Sequence, residues 1–282
     1  MTITATATRC RLETEIPPFR PVAIQMLRMV GKSSVSFAEV ANLLKTDSVL
    51  TLELLRVANS PLFWRQREIT SVHHAIALLG LDMVRSLAVT AALRGLTGRS
   101  ANGTVHACWR HSLATALACK RWSGSMGLEA ERCYTAGLVH DIGQLALLHL
   151  FQGYEVAVEA ALDRGEPLPE AEQRLFGVNH GEAGKWLLAR WGCPFELQNV
   201  AALHENPPSA PSYDGALIRL VQVGSHFANL AHMSVFPSLS QIDPQRIVDA
   251  FPAVHRRPLE ESLPELAEWI LVSVNGVEAS LV

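Results

Sequence analysis

The chain has 282 residues, 49% of them hydrophobic, which is enough to form a substantial core in one large domain or two small ones. Its charge is nearly balanced, with 24 Lys and Arg against 27 Asp and Glu, and this argues against strong non-specific binding to nucleic acid or anionic membranes. No apolar run reaches the roughly 18 residues of a membrane span. Five scattered cysteines without a C-x-x-C pair indicate reduced thiols in a cytosolic protein, not a zinc cluster or a disulfide frame.

The first part of the chain is predicted to contain short, well-capped helices. Residues 1–14 are rich in Thr and Ala and lack the apolar core of a secretory signal, so they are expected to form a flexible tail. Helical periodicity begins near residue 22. Capping chemistry then marks the helix boundaries: Ser36, Asp47 and Ser71 are expected to begin helices, and Asn59 and Gly80 to end them.

Longer helices are predicted in the rest of the chain, where no segment alternates apolar and polar residues as a half-buried strand would. The predicted helices cover residues 104–122, 129–150, 169–176, 180–191, 195–204, 215–231 and 260–272. Proline- and glycine-containing turns separate them. The sequence therefore predicts an all-α fold, a bundle of helices joined by tight turns.

Five ionisable residues are candidates for a metal site: His111, His140, Asp141, His180 and His204. His140 and Asp141 stand together inside the apolar run 136–148, where burying two ionisable groups is unfavourable unless something satisfies them. Imidazole and carboxylate ligands suit a divalent transition metal such as Fe, Mn or Zn. Adjacent residues on one helix lie about 100° apart, so both could reach one ion. The same histidines could equally be hydrogen-bonded packing residues of a helical core.

Several motifs, in a fixed order, carry a resemblance to a known family. The run Gly137-Leu138-Val139-His140-Asp141-Ile142-Gly143 resembles the signature of the HD superfamily of metal-dependent phosphohydrolases. One branch of it, the HDOD (HD-related output) domain, has motifs to which further segments are similar: 16–21, 44–51, 54–60, 69–80, 176–184 and 191–194. The resemblance implies an all-helical fold with a signalling role, because this family is generally regarded as a regulatory output module without established catalysis.

The resemblance also implies a domain organisation, an HD-domain-like helical bundle with an N-terminal helical subdomain. The HDOD domain is expected over 15–235, with the subdomain at 15–100 and the bundle at 101–235. The tail at 1–14 precedes it, and a C-terminal helical extension at 236–282 follows.

The same resemblance implies a ligand set. His111 matches the superfamily's first metal-binding histidine, and His140 with Asp141 matches the pair that gives the superfamily its name. His180 and His204 match the two later histidines of the related HD-GYP phosphodiesterases.

Two positions depart from the pattern of those enzymes. They carry a Lys after the His-Asp-x-Gly run, whereas this chain has Gln144, a neutral amide that cannot act as a point charge on a phosphate. They also supply a final Asp from a late helix, where this chain offers Ser225 or His226. The Gly-Tyr-Pro triplet of those enzymes is missing as well.

Three interpretations of the five residues stay open: a metal-holding pocket without hydrolysis, a set of histidines bonded to one another and to the backbone, or an active but atypical phosphohydrolase. The missing Lys and Asp count against the third, because phosphoryl chemistry depends on placed charge. The sequence therefore favours a non-catalytic or weakly catalytic regulatory module. The alternative is a metal-dependent phosphohydrolase acting on a nucleotide or cyclic dinucleotide. No catalytic residue is assigned, and no cofactor beyond a candidate Fe, Mn or Zn ion.

A regulatory module is expected to bind a signalling protein partner or a nucleotide-type ligand. Phe63 and Trp64 beside Arg65 are candidates for the partner surface, because aromatic and arginine side chains are typical interface anchors. They could equally cap a core from a surface turn. A nucleic-acid accessory role is the third hypothesis, which the nearly balanced charge disfavours.

Overall fold

The computed structural model of the chain describes residues 4–16, 20–29, 35–59, 69–97, 103–208 and 214–281. Within these ranges every regular element is a helix, so the predicted all-α fold is confirmed. The α-helices are α1 (Ala5–Thr14), α2 (Pro21–Arg28), α3 (Phe37–Leu44), α4 (Ser48–Ala58), α5 (Val72–Leu79), α6 (Leu81–Thr97), α7 (Gly103–Trp122), α8 (Ala130–Val139), α9 (Ile142–Leu150), α10 (Tyr154–Leu162), α11 (Leu168–Phe176), α12 (His180–Arg190), α13 (Phe195–Leu203), α14 (Gly215–Leu230), α15 (Pro244–Asp249) and α16 (Ala253–Leu281). Short 3₁₀ turns lie at Ser123–Met126 and Pro237–Ser240.

The predicted caps of the first helices are present. The side chain of Ser36 accepts a hydrogen bond from the backbone N–H of Glu39, which is half of the predicted capping box. Asp47 and Ser71 accept equivalent bonds at the starts of α4 and α5. Gly80 ends α5 with φ +81°, a conformation that side chains other than glycine rarely adopt. These helix boundaries therefore follow from local chemistry alone.

The predicted flexible tail over 1–14 is wrong for residues 5–14, which form α1. The helix packs on α12: Leu12 is buried, and its carbonyl accepts a hydrogen bond from Arg190 at 3.2 Å. Thr8 is also buried and donates to the carbonyl of Phe176 at 2.6 Å. This packing is hard to predict from the sequence, because α1 has a polar composition and only two of its side chains are buried.

The predicted helix over 129–150 is broken in two. α8 ends at Val139 and α9 begins at Ile142, so the His-Asp pair lies at the junction and not on one helical face. Asp141 has φ −99° and ψ 21°, outside helical values, and its carbonyl accepts the first backbone hydrogen bonds of α9. The break turns both side chains toward one interior point, which adjacent positions of a continuous helix would not achieve as well.

Contacts of α7 with α8, and of α9 with α12, fix the position of the α8–α9 junction in the fold. α7 lies between α8 and α14, and α9 packs on α12, which in turn packs on α13. α9 and α12 touch through backbone: a Cβ added at Gly143 would lie 1.9 Å from the carbonyl oxygen of His180 and 2.4 Å from the backbone nitrogen of Gly184. Only glycine fits there. This contact sets the distance between Asp141, at the start of α9, and His180, at the start of α12.

The C-terminal helix α16 is longer than the predicted 260–272. It runs through Pro258 and Pro264, each of which removes a backbone donor. A stripe of buried apolar side chains continues along it nonetheless: Leu259, Leu263, Ile270 and Val274. Tertiary packing here outweighs the local preference of proline.

Among the described helices, none by itself combines the length and the apolar character that crossing a membrane requires.

We expect Gly143→Ala to lower the free energy of unfolding by about 3 kcal/mol or more, because overpacking against rigid backbone has no flexible side chain to relieve it. Chemical denaturation followed by circular dichroism measures the change. Gly124→Ala is the matched control, since nothing lies within 4 Å of its added Cβ. Equal stabilities of the two variants would show that the α9–α12 contact is not as close as described.

Candidate metal centre

The five predicted residues converge on one buried cluster. His111 projects from the middle of α7, His140 and Asp141 from the α8–α9 junction, His180 from the first turn of α12, and His204 from the end of α13. All are buried, with exposed fractions between 0% and 6%. Four separate chain segments thus contribute one polar side chain or pair to a shared interior point.

Asp141 is the centre of the cluster, and its two carboxylate oxygens face different histidine pairs. Oδ2 lies 3.2 Å from Nε2 of His140 and 3.7 Å from Nε2 of His111. Oδ1 lies 3.3 Å from Nε2 of His204 and 3.9 Å from Nε2 of His180. We name the group of His111, His140 and Oδ2 the inner half-site, and the group of His180, His204 and Oδ1 the outer half-site. The atoms of each lie within 4.8 Å of one another.

The Nδ1 atom of each imidazole forms a hydrogen bond on the side of the ring that faces away from the cluster. His111 lies 3.0 Å from the carbonyl oxygen of Met233, and His140 lies 2.7 Å from that of Gly137. His204 lies 3.0 Å from the carbonyl oxygen of Ala201. A carbonyl oxygen can only accept, so Nδ1 carries the proton and donates in all three rings. Nε2 of each ring then faces the cluster, where the neutral form of the ring would offer a lone pair.

His180 is held by a buried carboxylate instead of a carbonyl. Its Nδ1 donates to Oε2 of Glu172 at 2.6 Å, and its backbone N–H donates to the same oxygen at 2.8 Å. Glu172 is fully buried, and its other oxygen accepts from the hydroxyl of Tyr154. Burial opposes the charged form of His180, but Glu172, and then Asp141, raise its pKa to about 10. Sequence reasoning missed Glu172, because nothing in the local pattern shows that this carboxylate is buried.

The donor set fits a metal cation. Lone pairs from several imidazoles and a carboxylate meet in the interior, and such groups require a proton or a cation between them. Nε2 of His140 is fully buried and has no hydrogen-bond partner among the described residues. An outer hydrogen bond on each Nδ1 is also the arrangement that orients imidazole ligands in metal sites. The cluster could therefore bind a divalent transition metal.

The charges within the cluster are strongly coupled. Burial opposes ionisation of Asp141, but the neighbouring imidazoles of His140 and His204 hold its pKa well below its usual range. Burial lowers the pKa of His111 to about 4, although Asp141 acts in the opposite direction. His111 is thus neutral at pH 7 and can offer a lone pair to a cation, while Asp141 is ionised.

Ser225 and Gln144 occupy the two positions that depart from the pattern of the HD-GYP phosphodiesterases, and the structure shows what each side chain contacts. Ser225 lies at the cluster, with its hydroxyl 3.1 Å from Nε2 of His111, so it and not His226 faces the inner half-site. Gln144 points elsewhere. It is buried, its Oε1 accepts from Sγ of Cys108 at 3.5 Å, and its side chain also hydrogen-bonds Tyr154.

A second carboxylate that sequence reasoning missed lies at the outer half-site. Oε1 of Glu205 is 3.7 Å from Nε2 of His204 and 3.9 Å from Nε2 of His180. Its position directly after the candidate ligand His204 could have identified it from the sequence.

The candidate partner residues Phe63, Trp64 and Arg65 lie outside the described residues.

Known proteins resemble this chain in sequence and in fold. A family model for the HDOD domain matches residues 16–207. An uncharacterised protein of Treponema pallidum (strain Nichols) is 24% identical over 220 residues, which are 77% of this chain and 42% of that protein. The chain thus spans less than half the length of this curated relative.

Two crystal structures are similar over nearly their whole length. An HDOD domain protein of unknown function from Geobacter sulfurreducens has a TM-score of 0.70 and 24% identity, covering 93% of this chain and 96% of its own. A candidate phosphohydrolase from Shewanella amazonensis SB2B also has a TM-score of 0.70, with 21% identity, covering 98% of this chain and 97% of its own. At these identities the likeness shows the fold.

We expect Glu172→Gln to weaken zinc binding about 10–100-fold, because the loss of an outer-shell partner typically changes metal affinity by that factor. The amide keeps the shape of Glu172 and removes its charge. Competition titration of the purified protein against a zinc chelator measures the affinity. Glu170→Gln, an exposed position on the same helix, should leave it unchanged. Identical affinities of the two variants would mean that the Glu172–His180 contact does not support the metal site.

Proposed function

The chain belongs to the HDOD domain family, and we propose that it is a regulatory signal-transduction module whose buried cluster holds a metal ion without hydrolysing a phosphate ester. In this role the ion fixes four chain segments relative to one another, and the module acts by binding a signalling protein or a nucleotide-type ligand. Fe, Mn and Zn are the candidate ions, because their ligand preferences match imidazole with carboxylate.

One observation carries the non-hydrolytic proposal: among the described residues, no Lys or Arg forms an ion pair with Asp141 or Glu205. Where the related phosphodiesterases carry a Lys, Gln144 is neutral, and its side chain is hydrogen-bonded to Cys108 and Tyr154. In the described part of the chain, the ion-pair partners of Asp141 and Glu205 are histidines alone. Phosphoryl transfer relies on placed positive charge for its transition state, and a metal ion alone would have to supply it here.

Ser225 supports the same proposal. In the related enzymes a late helix supplies a carboxylate ligand, whereas α14 supplies a hydroxyl at 3.1 Å from Nε2 of His111. A neutral hydroxyl adds no charge to the ion, and its hydrogen bond occupies the lone pair that His111 would otherwise offer. The inner half-site is therefore the weaker of the two.

A metal-dependent phosphohydrolase acting on a nucleotide or cyclic dinucleotide is the second candidate. The observation that favours it is that the two carboxylate oxygens of Asp141 face different histidines, His140 and His204. A carboxylate placed in this way could bridge two ions, an arrangement used by two-metal hydrolases. The similar protein from Shewanella amazonensis is described as a candidate phosphohydrolase. In this alternative the bound ions would activate a water and polarise a phosphate oxygen.

Metal analysis combined with a turnover assay separates the two candidates. The full chain is loaded with Zn²⁺, Mn²⁺ or Fe²⁺, the bound ion is quantified by mass spectrometry, and hydrolysis of cyclic dinucleotides and of bis-p-nitrophenyl phosphate is followed. We expect the wild type to bind metal and Asp141→Asn to lose it, because Asn lacks the charge that both half-sites share. Hydrolysis should be at background in both proteins.

Asp249→Asn, which changes an exposed carboxylate outside the cluster, is the matched control and should keep its metal. Metal-dependent turnover that is present in the wild type and in Asp249→Asn but lost in Asp141→Asn would refute the regulatory proposal and establish the phosphohydrolase.

A further inference from the structure

Glu205 is the exposed member of an otherwise buried group of charged side chains. It follows His204 directly, just beyond the end of α13, and its side chain is 40% exposed. The side chains of Asp141, His180 and His204 are exposed by at most 9%. The Nε2 amide of Gln222 donates to the backbone carbonyl of Glu205 at 2.8 Å, which fixes this segment against α14. Glu205 therefore stands at the boundary between the outer half-site and solvent.

The spacing of the donor atoms matches a shared ion. Two donors bound to one tetrahedral zinc at 2.0–2.1 Å lie about 3.3–3.4 Å apart. Nε2 of His180 and Nε2 of His204 are 3.3 Å apart. From Nε2 of His180, Oε1 of Glu205 and Oδ1 of Asp141 each lie 3.9 Å away. From Nε2 of His204, the same two oxygens lie 3.7 Å and 3.3 Å away. The excess of a few tenths of an ångström at Glu205 is within reach of a side-chain rotation.

Glu205 also has no competing ion pair. Within the described residues its ion-pair partners are His180 and His204 alone, and both contacts are to the nitrogen that faces the cluster. A half-exposed carboxylate usually points into water or toward a Lys or Arg at the surface. This one is directed at Nε2 of His180 and Nε2 of His204, the ring nitrogens that face the cluster.

We propose that Glu205 is a direct metal ligand of the outer half-site and the ligand through which the ion enters and leaves. The inference rests on the metal-holding part of the proposed function. The imidazoles are locked through Nδ1, and Asp141 is enclosed by histidines, so neither can move aside without breaking buried hydrogen bonds. Glu205 can rotate into solvent at little cost. The outer half-site thus has three fixed donors and one that exchanges.

The test uses Co²⁺ as the probe, because its visible spectrum reports the coordination of the ion. Full-length wild type, Glu205→Gln and Glu205→Ala are titrated with Co²⁺, and the bound ion is then removed with excess EDTA while the spectrum is recorded. We expect both variants to bind Co²⁺ about 10–100-fold more weakly, at least the effect of losing an outer-shell partner. Their spectra should change in shape, and they should release the ion faster than the wild type.

Glu182→Gln is the matched control, an exposed carboxylate on α12 whose side chain has no described contact with the cluster. It should bind and release Co²⁺ as the wild type does. Glu205→Gln is nearly isosteric, so it decides the outcome if Glu205→Ala is unstable by circular dichroism.

Unchanged affinity, spectrum and release rate in Glu205→Gln would overturn the proposal, and so would a wild type that binds no Co²⁺. Neither result depends on turnover. Hydrolysis by the wild type would refute the regulatory function and leave the assignment of Glu205 intact.

Discussion

The carboxylate of Asp141 is the constraint on which the rest of this structure depends. It is buried among four imidazoles, with a different pair facing each of its oxygens. An ionised carboxylate in a helical interior is unfavourable unless positive charge or hydrogen-bond donors compensate it. The compensation must come from a metal ion or from protonated histidines. In either case four histidines from different parts of the chain have to be held within a few ångströms of one point.

The backbone provides that precision at the junction of α8 and α9. A continuous helix over 129–150 would separate the side chains of His140 and Asp141 by about 100° around its axis. The break instead puts His140 at the end of one helix and Asp141 at the start of the next, both aimed inward. Gly143 then brings α12 into backbone contact with α9, which places His180 opposite Asp141. Two backbone features thus position the side chains of the cluster: the break between α8 and α9, and the close contact of α9 with α12 at Gly143.

The parts of the fold that the sequence predicted are those governed by local chemistry. Ser36, Asp47 and Ser71 cap their own helices, so their roles need no knowledge of the tertiary structure. The residue types of the four histidines and Asp141 made them candidates, and the resemblance of ordered motifs implied that they form one ligand set, which spacing alone did not distinguish from packing residues. The structure brings all five together.

The parts that the sequence did not predict depend on tertiary contacts. Glu172 is an ordinary surface residue by composition, and only the packing of α11 on α12 buries it beside His180. α1 is polar enough to be taken for a tail, and its place is set by distant partners such as Phe176 and Arg190. Pro258 and Pro264 would end a helix in isolation, but the buried stripe of α16 carries the helix through them.

The accessibility of the cluster to a substrate distinguishes the two candidate functions better than the identity of its residues does. A hydrolytic metal site needs an open coordination position that a substrate phosphate can reach, together with charge that stabilises the transition state. Here the inner half-site is closed by the hydroxyl of Ser225 on one side and by buried imidazoles on the other. The outer half-site meets solvent at Glu205, a carboxylate whose negative charge repels an approaching phosphate. These surroundings support the proposed regulatory function, in which an ion held by four segments of the helical bundle would fix their relative positions.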